Sequence, residues 1–157
     1  MTILETNDKA PDFCLEDKDS QTLCLSDVNT RFTLVYFYPE DNTPGCAMEA
    51  NGFQALKDEF DKRDVSIIGI SGGDASSKKS FCEKNDLDIT LLSDTDFSVS
   101  TEFGAIDNMT REEQASKSIN RMSFLLDTDK NIIKIYRNVT PESHPQEVVD
   151  DIDELTS

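Results

Sequence analysis

The chain has 157 residues, 15 of them basic and 32 acidic, for a net charge of −17. That length suits a single domain spanning 1–157 with a real core, and the charge makes nucleic acid and anionic membrane surfaces poor partners. Apolar runs of only a few residues are too short to span a bilayer, and residues 1–13 have neither the basic nor the apolar region of an export signal, which points to a cytoplasmic setting.

Residues 1–10 read as a polar lead-in. Phe13-Cys-Leu15 and Leu23-Cys-Leu25 alternate around a polar 17–21 and predict a β-hairpin. Phe13, Leu15, Leu23 and Leu25 share its inner face, and Cys14 falls opposite Cys24 on the other, as two packed thiols in a reduced compartment. Residues 33–38 are apolar and aromatic enough for a buried strand. Thr43 then offers an N-cap oxygen and Pro44 stands at N1, so a helix is predicted over 44–60. Cys46, Ala50, Phe53, Leu56 and Phe60 form its buried stripe, and Lys57, Lys62 and Arg63 crowd its C-terminal half.

A second buried strand is predicted over 65–70, then a turn rich in N-caps and a helix through Phe81 and Cys82 to about Asn85. Lys78 and Lys79 read as solvated charges on that helix. Residues 89–92 form a short apolar segment, and 97–103 a helical one closed by Gly104 as the C′ residue. The polar 105–120 reads as a long surface loop. Residues 123–127 and 132–139 read as strands, and 141–155 as an acidic amphipathic helix with Val148, Val149, Ile152 and Leu155 on one face. Strands alternating with helices give an α/β fold, a central mixed sheet flanked by helices.

Four cysteines, a single histidine and no C-x-x-C argue against zinc and leave catalysis or inert burial for the thiols. Cys46 stands out because it falls at N3, directly after a strand, where unpaired N–H groups and the helix dipole favour a thiolate. Gly45 and Ala47 beside it permit close approach of a small substrate. A packed thiol beneath a helix start is the plainer alternative. Glu40, Asp41 and Glu49 oppose ionisation, and a helix end offsets only about 0.3–1 kcal/mol, so a cation must come from elsewhere in the fold. Arg121, at the entrance to the strand over 123–127, is the candidate.

Pro39-x-x-x-Thr43-x-x-Cys46 resembles the active-site signature of the peroxiredoxins. Flanking pieces are similar to the bacterioferritin comigratory protein, or Q-type, subfamily: Ala10-Pro-Asp-Phe13, Leu25-Ser-Asp27, Tyr36-Phe-Tyr-Pro39, Thr43-Pro-Gly-Cys46 and Glu49-Ala50. Further along are Gly69-Ile-Ser71, Leu91-Leu-Ser-Asp94, Phe103-Gly104, Arg121 ahead of Phe124-Leu-Leu-Asp127, and His144 with Glu147-Val148. The resemblance runs through nearly the whole chain in order. It implies a thioredoxin-like fold with an N-terminal β-hairpin and a thiol-dependent peroxidase acting on hydrogen peroxide and organic hydroperoxides. Cys46 resembles the peroxidatic cysteine, Thr43 the hydroxyl that binds peroxide, and Arg121 the arginine that stabilises thiolate and transition state. By the same resemblance, Pro39 would shield the thiolate and Glu49 would hold the arginine.

The chain departs from many members in having Asn51 where a resolving cysteine would follow, and Ala47 for a threonine. Cys82 matches the place, in the next helix, where another branch carries its resolving cysteine. The implied cycle joins Cys46 to Cys82 and returns both through a thioredoxin-type reductant. Gly52, in the helix interior, weakens that helix by about 1 kcal/mol relative to alanine, which suits the unwinding such a bond requires. No cofactor is implied, and members are often monomers. Competing readings are a one-cysteine peroxidase resolved by an external thiol, a redox sensor or binding module working through its acidic surface, and a protein-disulfide oxidoreductase, which the missing C-x-x-C disfavours. His144 reads as a surface or capping residue.

Overall fold

The computed structural model describes residues 4–106 and 119–157. A mixed sheet of seven strands runs in the order β2-β1-β5-β4-β3-β6-β7. Its centre is β3 (Phe32–Phe37), buried along its whole length between parallel β4 (Val65–Ser71) and antiparallel β6 (Met122–Leu126). Covered on both faces, these strands are mostly apolar and do not alternate regularly with polar residues; Thr33, Ser66, Ser71 and Ser123 are their threonine and serine residues. Next to β4 lies parallel β5 (Thr90–Ser93), and β7 (Ile132–Tyr136) returns against β6. The predicted hairpin, β1 (Cys14–Glu16) and β2 (Thr22–Cys24), joins the β5 edge through Glu16 opposite Ser93.

Successive side chains of a strand go to opposite faces, so the sheet separates two cores. Leu34, Tyr36, Ile67, Leu91 and Leu125 face α1 (Pro44–Ala55), α2 (Lys57–Lys62), α3 (Ala75–Asn85) and α5 (His144–Thr156). Val35, Phe37, Ile68, Ile70, Leu92 and Phe124 face the hairpin's Phe13 and the short α4 (Ser98–Glu102), with Val99 and Phe103. Gly104 follows α4 at φ +73°, the left-handed stop expected of it.

Several sequence expectations shift. The single helix over 44–60 is two, broken at Leu56, whose ψ of 10° leaves the helical range. The last helix starts at His144, and Leu155 is half exposed, beyond the buried Val148, Val149 and Ile152. The second strand of the C-terminal hairpin ends at Tyr136. Gly52 meets a packing demand: a Cβ there would stand 2.7 Å from Pro145 Cγ at the start of α5. Most of the loop expected over 105–120 lies outside the described residues.

The hairpin register is the predicted one, Leu15 opposite Leu23 and Cys14 opposite Cys24, but the two cysteines are bonded as a disulfide and are not free thiols. Leu25 N–H donates to Phe13 C=O and Asp17 N–H to Gln21 C=O, which makes 14/24 a non-hydrogen-bonded rung. Backbones approach most closely at such rungs, and the Cα atoms here are 4.0 Å apart.

Candidate active site

The chain leaves β3 at Phe37 and turns through Asn42, in the left-handed region at φ 64°, into the extended Thr43 and then Pro44 at the first helical position. Cys46 is therefore at N3 and 2% exposed. Thr43 occupies the N-cap position, but its hydroxyl caps no N–H of the helix; it donates to Glu40 C=O at 3.3 Å. The N–H groups of Gly45 and Cys46, which have no carbonyl one turn earlier within the helix, thus stay uncapped by that side chain.

Register brings the cation. β6 runs antiparallel to β3 with Met122 opposite Phe37, so Arg121, one residue earlier, arrives where β3 turns toward α1. Its Nη2 donates to Cys46 Sγ at 3.4 Å and its Nη1 to Glu49 Oε1 at 2.7 Å. Glu49 lies one turn beyond Cys46, fully buried. A Cβ on Gly45 would come within 3.3 Å of Arg121 Nη2, so the glycine gives the guanidinium room. Burial pushes the Glu49 carboxyl up to about 7 even against Arg121, and its Oε2 meets no donor among the described residues. Arg121 is raised by its hydrogen bonds to Cys46 and Glu49 in spite of desolvation, so it stays cationic. Pro39 is exposed at the end of β3.

The nearby acids are not the bare repulsive charges that their sequence positions suggest. Asp41 is buried and accepts from Tyr38 Oη at 2.6 Å, from Ser77 Oγ at 2.8 Å and from Lys78 Nζ at 3.2 Å. Lys78 is not solvated: it is 0% exposed and donates also to Ser71 Oγ at 2.6 Å. Burial pulls its ammonium below the usual lysine range, with Asp41 pulling the other way. This network ties the loop before Cys46 to the end of β4 and the first turn of α3. The sequence carried a signal for it, because Lys78 lies three and four residues before Phe81 and Cys82, on the buried face.

His144 is likewise buried rather than on the surface. Its Nδ1 pairs with Glu147 Oε1 at 2.9 Å and its Nε2 with Ser123 Oγ at 2.7 Å, fastening α5 to β6 two residues after Arg121. Burial lowers its pKa, and Glu147 only partly opposes that. Cys82 is free and 3% exposed on α3, its thiol pushed up chiefly by burial. It is not bonded to Cys46. Among the described residues no group of His, Cys, Asp and Glu is arranged to hold a metal ion, and no helix is long and apolar enough to cross a membrane.

Residues 6–135 match the AhpC/TSA family. The chain is 36% identical over 144 residues to the peroxiredoxin Bcp of Escherichia coli strain K12, covering 92% of each chain. Its fold is similar to that of a cysteine-to-serine mutant of Xylella fastidiosa PrxQ, with a TM-score of 0.91 at 27% identity over the whole of both chains. It is also similar to the bacterioferritin comigratory protein of Xanthomonas campestris, described for alkyl peroxide reduction, with a TM-score of 0.85 at 27% identity and 92% coverage of each chain.

Proposed function

The chain belongs to the AhpC/TSA family and is a peroxiredoxin, a thiol-dependent peroxidase with the thioredoxin-like fold, and we propose that Cys46 is its peroxidatic nucleophile and Cys82 its resolving partner. The observation that carries this reading is the Arg121 guanidinium, held by Glu49 and donating to the Cys46 sulfur. Cys46 thiolate attacks one oxygen of the hydroperoxide, the O–O bond breaks, and negative charge develops on the leaving oxygen. Arg121 and the uncapped N–H groups at the start of α1 stand where that charge forms, so they stabilise the transition state more than the resting substrate. The Thr43 hydroxyl, whose bond to Glu40 is long, is free to turn to the peroxide. The products are a sulfenic acid on Cys46 and, once protonated, water or an alcohol.

Cys82 thiolate then displaces hydroxide from the Cys46 sulfenic sulfur, which leaves as water, and a disulfide forms. Both cysteines are buried and on different helices, so the bond requires α1 or α3 to open locally. A thioredoxin-type dithiol reduces the product. Organic as well as hydrogen peroxides are the proposed substrates, supported by the alkyl peroxide activity ascribed to the Xanthomonas campestris relative. The whole chain is read as one domain, a cytoplasmic monomer binding neither nucleic acid nor membrane. Its acidic charge supports this, and so does the described surface, where Met48 and Leu155 are the large apolar side chains left about half exposed.

One equivalent of hydrogen peroxide added to protein in which Cys46 and Cys82 are reduced and Cys14–Cys24 is bonded, followed by non-reducing peptide mapping, tests the assignment. A Cys46–Cys82 linked peptide is expected. Sulfinic acid on Cys46 with Cys82 untouched would make the enzyme one-cysteine, and unreacted Cys46 would refute the nucleophile.

A further inference from the structure

Cys14 and Cys24 take no part in the chemistry above, yet the fold bonds them to each other. They lie on the two outermost strands of the sheet at one edge, Cys14 exposed and Cys24 half-buried, where a thiol on another protein can reach the sulfur. Two features of register fix where the pair points. β1 is antiparallel to β5, and Glu16 meets Ser93, the last residue of β5. Cys14 therefore lies past the C-terminal end of β5, the same end at which parallel β3 hands the chain to α1 and Cys46. Leu15 and Leu23 pack on the α4 face, so Cys14 and Cys24 turn to the other face, covered by α1 and α3. Face and end are thus shared with the start of α1, which carries Cys46, and with the start of α3; Cys82 lies two turns further along α3, and the local opening that brings it to Cys46 also brings it toward the hairpin pair.

We propose that Cys14–Cys24 is a second redox centre, the entry point for electrons from a protein dithiol, which it hands to the Cys46–Cys82 disulfide by exchange at Cys82. This rests on Cys82 being the resolving residue. One thiolate of the donor attacks Cys14 Sγ and Cys24 leaves as a thiolate; the donor's second thiol then closes its own disulfide and releases Cys14. Cys24 thiolate next attacks Cys82 Sγ, breaking the Cys46–Cys82 bond and freeing Cys46 as the thiolate. Cys14 thiolate attacks Cys24 Sγ, and Cys82 leaves, taking up the proton Cys14 gave. Two electrons and two protons pass from the donor dithiol to Cys46 and Cys82, and the hairpin disulfide is restored.

Protein carrying both disulfides is mixed with one equivalent of pre-reduced thioredoxin, quenched in acid at intervals, alkylated and mapped by peptide mass spectrometry. Label is expected first on Cys14 and Cys24, then on Cys46 and Cys82 as the hairpin closes again. Label on Cys46 and Cys82 while Cys14–Cys24 stays shut would overturn the relay and leave the pair a staple of the hairpin. A Cys14→Ser variant supplies a second reading: after peroxide treatment it accumulates a Cys24–Cys82 linked peptide, because nothing remains to release Cys24. A lasting Cys46–Cys82 bond in that variant sinks the relay alone. Absence of the Cys46–Cys82 peptide from peroxide-treated wild type removes the acceptor, and with it both the relay and the resolving role of Cys82.

Discussion

Cys46 and Cys82 are both free, both almost wholly buried and both on helices packed against one face of the sheet, yet their surroundings differ in every respect that matters to a thiol. Cys46 stands in a first helical turn with an arginine nitrogen 3.4 Å from its sulfur. Cys82 is deep in α3, where burial pushes its thiol up and the nearest turn's lysine is spent on Asp41. Burial alone therefore decides nothing about a cysteine. A donor aimed at the sulfur makes burial useful, because the interaction strengthens as water is excluded; without one, burial keeps the thiol protonated and unreactive until the helix that carries it opens. The two ion pairs divide in the same way. Arg121–Glu49 leaves one guanidinium nitrogen for chemistry, whereas Lys78–Asp41 is sealed and spends every contact on holding a loop to a helix.

The contrast is broken most completely at the sulfurs. Cys46→Ser is expected to abolish peroxide consumption, while Cys82→Ser keeps one turnover per protein and loses recycling by thioredoxin; stopped-flow peroxide consumption with and without the reductant separates the two. Next comes the donor. Arg121→Gln should lower kcat/KM by about 10²–10³-fold, the usual effect of removing one transition-state donor, as read in steady-state peroxide assays. The sealed pair should behave differently: Lys78→Met leaves Asp41 buried without its cation and is expected to cost about 3–5 kcal/mol in denaturant unfolding, with a far smaller change in the rate of Cys46 oxidation.

The smallest effect belongs to Glu49, whose folded value of about 7 lies above the ordinary 4.5. The folded chain then holds a proton that the unfolded chain releases between those values. The contribution is fully present below pH 4.5 and is lost as pH rises through 7, about 3 kcal/mol across the window at 1.36 kcal/mol per unit. Wild-type stability should accordingly fall relative to Glu49→Gln from pH 5 to 8 in paired melts, and parallel profiles would contradict it.

Much of this was legible before the fold. Pro44 after Thr43 placed Cys46 at N3, and the acids around it showed that a distant cation was needed. Arg121 is legible as the candidate from its strand entrance and from the family resemblance, but its reach to Cys46 depends on β6 pairing antiparallel to β3, a long-range register that no local pattern encodes. Lys78 and His144 read as solvent-facing for a related reason: their polar chemistry suggests solvent, but their partners Asp41 and Ser123 come from segments 37 and 21 residues away. Alternation aligns Cys14 with Cys24 correctly, but it does not distinguish a bonded pair from the two packed thiols that a reducing compartment suggests.

Site-resolved alkylation of the fully reduced protein tests the central contrast most directly. Iodoacetamide is added at neutral pH, and the modification of each cysteine is followed by peptide mass spectrometry, in wild type and in Arg121→Gln. Cys46 should be modified well before Cys82 in wild type, and its lead should shrink in Arg121→Gln while Cys82 is unmoved. Equal rates at the two cysteines, or a Cys46 rate indifferent to Arg121, would contradict the account.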